Sequence, residues 1–228
     1  MKTATQTIKT TGIFYLLIII CAGFSQGGIR EVLIDFSNPI VSIENIKNSI
    51  MLFRSSIILD LVAFAMDVVV SLLLYRIFKE VNSGISKIST VFRIIAHPGI
   101  GTLNLLNQVM AGLLISRGSE DLSLITTLLE AHKVGYIIAG VAFGIHLILL
   151  GYLIWKSTDF KKVFGLLMVI AGVTYLIECF GFILHPEYHQ ILSLIVGVGA
   201  AVGELSFTIY MLVKNGRRTT EYKISAYA

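Results

Sequence analysis

The sequence predicts an all-α integral membrane bundle of six transmembrane helices with both termini on the cytoplasmic side, and three observations predict it. Hydrophobic residues make up 55% of the 228 and charged residues only 14%, at a mean hydropathy of +0.83, far outside the makeup of a soluble domain. The apolar residues fall into six runs, each near the roughly 20 residues that carry a helix across a hydrocarbon core. The basic residues sit in short clusters between the runs, and an N-terminus placed inside assigns thirteen of the eighteen to the cytoplasmic side, the bias the positive-inside rule demands.

The runs cover 12–29, 53–76, 91–115, 134–155, 162–184 and 190–213 of a single transmembrane domain, 1–228. Lys2 and Lys9 before the first run resemble the start of a signal peptide, but Cys21-Ala22-Gly23-Phe24 is a poor cleavage site and Ile20 spoils a lipobox. The first run therefore reads as a retained helix. Between the first and second runs, Val41 to Phe53 places Ile43, Ile46 and Ile50 at helical spacing. Glu120 to Ala131 does the same with Leu124, Leu128 and Leu129. Both segments are expected to lie as amphipathic helices on the outer membrane surface.

In the fourth run Gly140-x-x-x-Gly144 is followed by Gly151, and the last run holds Gly199-x-x-x-Gly203. Small residues at this spacing let helix backbones approach, here within one chain rather than between copies. The polar stretch Asn215 to Ala228 reads as a short, loose cytoplasmic end.

Composition also excludes functions. The net charge of +4 comes from topology signals rather than one basic face, so nucleic acid is not a partner; the lipid bilayer of the cell (plasma) membrane is. Cys21 and Cys179 lie in apolar runs without CxxC or Cys/His spacing, which supports neither a disulfide framework nor a zinc motif. No phosphate-cradling glycine loop or serine nucleophile elbow is present.

What demands explanation is charge inside the runs. Ser56, Asp60, Asp67 and Ser71 share one face of the second span, and Arg93, His97, Asn104 and Asn107 or Gln108 share one face of the third, with Pro98 as a kink. His146, Glu178 and Glu204 add single groups to the fourth, fifth and sixth spans. Counted from the cytoplasmic ends, Asp67, His97, His146 and Glu204 lie about 15 Å deep, near the midplane. Asp60, Asn107 and Glu178 would form a second layer beneath the turn from His185 to His189, and Arg54 would snorkel to headgroups. Two imidazoles and two carboxylates at one depth could ligate a divalent metal through His97, His146, Asp67 and Glu204. They could equally relay protons, or simply bond helix to helix.

The stretch from Phe143 to Tyr175, with Phe-Gly-Ile-His-Leu-Ile-Leu-Leu-Gly-Tyr-Leu and Gly-Leu-Leu-Met-Val-Ile-Ala-Gly-Val-Thr-Tyr-Leu-Ile, resembles a bacterial family, domain of unknown function 4386. Gly12 to Leu16, Asn45-Ile46, Leu52 to Arg54, Asp67 through Tyr75, Phe92-Arg93 and Gly203-Glu204 follow its pattern too. Where the family shows proline and arginine before the fifth span, this chain has Asp159-Phe160-Lys161-Lys162. The resemblance implies a multi-span membrane protein and draws attention to Arg54, Asp67, Arg93, His146 and Glu204, but it brings no activity. Three functions then compete. The first is a protein that binds a small ligand, lipid or ion at the polar layer for transport, sensing or membrane homeostasis, with Asp67, His97, Asn104, His146, Glu204 and Arg93 as its site. The second is a metal-dependent intramembrane hydrolase acting on a lipid, and the third a proton-coupled carrier.

Overall fold

The computed structural model describes residues 2–214, and the expected cytoplasmic tail Asn215 to Ala228 lies outside the described residues. Among the described residues all regular structure is helical: seven helices, six of them long and apolar enough to span a membrane. The spans are α1 (Thr5–Leu33), α3 (Ile50–Phe78), α4 (Ser83–Ser116), α5 (Leu122–Lys156), α6 (Lys162–Leu184) and α7 (Pro186–Val213). The seventh helix, α2 (Pro39–Asn48), links α1 to α3.

Local chemistry sets the ends. Asn38 caps α2 by accepting from the Val41 amide, with Pro39 pre-set for the first turn. Asn82 and Asp121 cap α4 and α5 in the same way. A shell of exposed large side chains, among them Ile58, Leu61, Leu103, Leu106, Ile183 and Leu194, would be costly in water and faces lipid without penalty.

Four sequence expectations change. The first span does not stop at 29: its helix continues through a π-helical segment, Phe24–Arg30, to Leu33, so Arg30 is buried in the bundle rather than outside it. Arg93 is likewise fully buried and is no topology signal; without these two, the basic residues divide twelve to four. Glu120 to Ala131 is no surface helix: from Leu122 it forms the first turns of the continuous α5, whose Ile125, Leu128 and Leu129 are buried, while Leu124 is exposed. The segment around Ile43, Ile46 and Ile50 does form a helix, but Ile46 is fully buried, so α2 packs onto the bundle.

The glycine reading holds within the chain. A Cβ built at Gly144 would lie 2.7 Å from the Gly172 carbonyl oxygen, and one at Gly151 would lie 2.6 Å from that of Gly165. The reverse pairs are as tight, so α5 and α6 meet backbone to backbone along their lengths. Gly203 meets Ala171 and the Leu167 carbonyl in the same way, seating the second half of α7 on α6. That half also packs against α1, whereas the first half of α7 packs chiefly on α6. Gly23 on α1 and Gly197 on α7 both face open space, so a cleft separates these two helices.

Candidate functional site

The polar stripe of α3 is wholly internal: Ser56, Asp60, Asp67 and Ser71 are all buried. So are Arg93, His97, Asn104 and Gln108 on α4. The two stripes meet through Arg93, which donates from Nε to Asp67 Oδ1 at 2.9 Å and from Nη2 to the same oxygen at 2.5 Å. Its Nη1 lies 3.1 Å from His146 Nε2 on α5. A guanidinium can only donate, so Nε2 must accept and the ring proton sits on Nδ1. That nitrogen is 2.9 Å from the Ser89 carbonyl oxygen, which takes the proton's hydrogen bond. His146 is thereby fixed as one neutral tautomer. Tyr15 and Phe143 place their rings 4.4 Å and 5.2 Å from the guanidinium carbon, a cation–π cradle.

The second ionisable group is reached from the other side. Glu204 on α7 accepts from the Tyr15 hydroxyl at 2.8 Å and from the Tyr175 hydroxyl at 3.1 Å. Its carboxyl thus meets Asp67 only indirectly, through Tyr15 and Arg93. His97 stands between: Nδ1 is 3.4 Å from Asp67 Oδ2, and the ring is stacked on Phe64 and flanked by Tyr136 and Phe143.

These groups enclose a chamber of about 280 Å³, lined by Tyr15, Asp67, Arg93, His97, Tyr136, Phe143, Tyr175 and Glu204, with apolar walls otherwise. Each of the six spans supplies at least one of those side chains. Ile18, Ile19 and Ala22 on α1 and Ala200, Ala201 and Leu205 on α7 form its remaining rim, where the cleft between the two helices begins. His97 and Glu204 both lie in π-helical segments, Ile95–Gly101 and Ala201–Leu205. A π turn widens the helix and relieves the clash that Pro98 would otherwise make with the preceding turn.

The structure brings together Asp67, Arg93, His97 and His146 directly and Glu204 through tyrosine. It separates Asn104, whose amide instead donates to the His132 carbonyl at 2.7 Å. The expected second layer does not assemble either. Asp60 is ion-paired with Arg30, Asn107 bonds Asn104, and Glu178 accepts from Ser193. Arg54 is tied to Ser116 at the surface, and His185 pairs with Glu187 in an exposed turn.

A divalent metal does not fit these residues. His146 turns its accepting nitrogen toward Arg93, a cation, and among the described residues no three His, Cys, Asp or Glu side chains gather so as to hold a metal.

Sequence reasoning missed Tyr15, Tyr136 and Tyr175, which read as ordinary apolar residues, and Ser89, whose carbonyl sets the His146 tautomer. It also missed Arg30 and His132, which fall just outside the runs 12–29 and 134–155. Tyr15 and Tyr175 left a trace, inside the family-like stretches Gly12 to Leu16 and Phe143 to Tyr175.

Six apolar helices closed around a buried ionic network define a multi-pass membrane protein. The chain belongs to the family described as Domain of unknown function (DUF4386), whose model matches residues 10–215 and so reaches all six spans. It is similar to an uncharacterized protein of Archaeoglobus fulgidus, 30% identical over 156 residues, which cover 68% of this chain and 80% of that one. No solved structure matches it.

Proposed function

We propose that the protein binds a small ligand in the mid-bundle chamber, reached through the cleft between α1 and α7, in a transport, sensing or membrane-homeostasis role. The observation that carries this reading is the chamber itself: a cavity of about 280 Å³ on which every span places a side chain and whose wall holds four ionisable groups. Arg93, Asp67 and His146 satisfy one another and act as the frame. Glu204 and His97 face the space and act as the groups that meet the ligand. A purely structural network has no use for a cavity at its centre, since cavities cost stability.

Filling the chamber tests this. Ala201 is an exposed residue on the rim, so Ala201→Phe should close the opening without disturbing the frame. Native mass spectrometry of gently extracted protein should show a small-molecule adduct on the wild type and none on Ala201→Phe. The same mass for both proteins, with no adduct on either from native membranes, would leave the chamber without an occupant and count against the proposal.

The same reading places the end of the bundle that carries the termini in the cytoplasm of a plasma-membrane protein, supported by the twelve-to-four division of basic residues. A cysteine at Lys47, in a chain with Cys21 and Cys179 replaced by alanine, should react with an impermeant maleimide in intact cells; labelling only after lysis would invert the topology.

A further inference from the structure

A second cavity, of about 690 Å³, lies between the chamber and the end of the bundle opposite the termini, sharing the walls His97, Tyr136, Tyr175 and Ala200 with it. We infer that this outer cavity is a binding site for an amphiphile with a single carboxylate headgroup: the head is held by Arg30, His132 and Lys133, and the acyl chain leaves through the cleft between α1 and α7.

The headgroup side follows from donors left without acceptors. Arg30 and His132 are only 6% and 4% exposed, and both line the cavity. Arg30 uses Nη2 on Asp60 and Nε on Gln108 Oε1 at 3.1 Å, but its Nη1 has no partner. His132 Nδ1 lies 3.2 Å from Asn104 Nδ2 and 3.3 Å from the Asn104 carbonyl oxygen, and its Nε2 has no partner; a bound carboxylate selects the tautomer that carries the proton on Nε2, with Nδ1 accepting from the Asn104 amide. A buried donor without an acceptor is costly and rare, and one cost relieved by a bound group marks a site.

The charge of the ligand follows from counting. Asp60 already matches Arg30. Glu178, on the facing wall, is engaged by Ser193, and Glu31 is exposed at the rim. Lys133, on the next position of α5 after His132, lines the cavity with its ammonium 4.7 Å from the Phe36 ring. Among the described residues no carboxylate lies within ion-pair distance of it. The carboxylates of Asp60 and Glu178 thus stand beside the two cations Arg30 and Lys133, which favours a monoanion over a doubly charged phosphate.

The tail side follows from shape. The remaining wall is apolar or small, with Gly23, Val196, Gly197 and Ala200 along the cleft, and Gly23 and Gly197 have nothing within 4 Å of a built Cβ. A free small carboxylate would leave this slot empty, whereas an acyl chain fills it from the lipid side.

The cavities share walls and a cleft, but the head is held by Arg30, His132 and Lys133, none of which lines the chamber, so either proposal can fail alone. Binding of radiolabelled oleate to the purified full chain in zwitterionic nanodiscs should saturate at one site and should not be displaced by oleyl alcohol, acetate or inorganic phosphate. Lys133→Gln should weaken it by roughly tenfold, the loss of one ion-pair contact. Gly197→Trp should abolish it, with unchanged helical circular dichroism and gel-filtration volume, because the open slot accepts the ring. Displacement by oleyl alcohol would show that the head is not read, and displacement by acetate or phosphate that the tail is not; either result overturns the inference. So does oleate binding that is absent, non-saturable or equal in both variants.

Discussion

Asp67→Asn is expected to destabilise the protein by about 3 kcal/mol, because it removes the one charge that compensates a fully buried Arg93. The substitution keeps the shape of the side chain and can still accept a hydrogen bond, so the loss reports charge rather than packing. His146 cannot take over, since its ring already accepts from Arg93 and donates to Ser89. Arg93 is fully buried, so the stranded guanidinium is left poorly solvated on the chamber wall. Replacing both partners, with Asp67→Leu and Arg93→Met, should recover most of the loss. Thermal unfolding of the four proteins in one detergent gives the cycle directly. An Asp67→Asn protein that melts with the wild type would mean that Arg93 has a second compensating partner, with Glu204 the nearest candidate.

Gly172→Ala is expected to cost about 3 kcal/mol, the upper end of overpacking penalties, although alanine is the better helix former. Its Cβ would lie 2.5 Å from the Gly144 carbonyl oxygen and 3.0 Å from the Ile148 backbone nitrogen. Neither is the end of a flexible side chain, so relief requires α5 and α6 to move apart along a seam that also includes Gly151 and Gly165. Gly197→Ala is the matched control: nothing lies within 4 Å of its built Cβ, and helix propensity alone predicts a gain of up to about 1 kcal/mol. Equal melting shifts for the two variants would refute the close backbone contact.

How much of this was legible in the sequence depended on which physical signal each part left. Ser56, Asp60, Asp67 and Ser71, and Arg93 with His97, Asn104 and Asn107 or Gln108, were found because polar residues repeating at helical spacing in an apolar run have one explanation, a shared interior face; of the last pair Gln108 is the buried one. Asp67, His97, His146 and Glu204 were expected at one depth, and they line one network, the first three around Arg93 and Glu204 through Tyr15. Depth could not reveal that Arg93, rather than a metal, joins them, since rotation about each helix axis is set by packing partners. Arg30 was misplaced for a different reason. Gln26-Gly27-Gly28 before a charge reads as the end of a span, and only the three-dimensional position of Asp60 makes burial of Arg30 affordable. The π-helical segments left no periodic signal, although they carry Arg30, His97 and Glu204. The tyrosines were invisible because a phenol looks apolar until its hydroxyl has an address.

The central claim is a division of labour: Asp67, Arg93 and His146 hold the bundle together, while Glu204 faces a ligand. Glu204→Gln separates the two most directly when melting temperature and retained small-molecule mass are read on the same preparation. Gln keeps an oxygen to accept from one of the two tyrosine hydroxyls, offers the other an N–H to accept, and leaves the Arg93 frame untouched, so the melting temperature should stay close to that of the wild type while the adduct is lost. A melting temperature that falls as far as that of Asp67→Asn, or an adduct retained in full, would contradict the account.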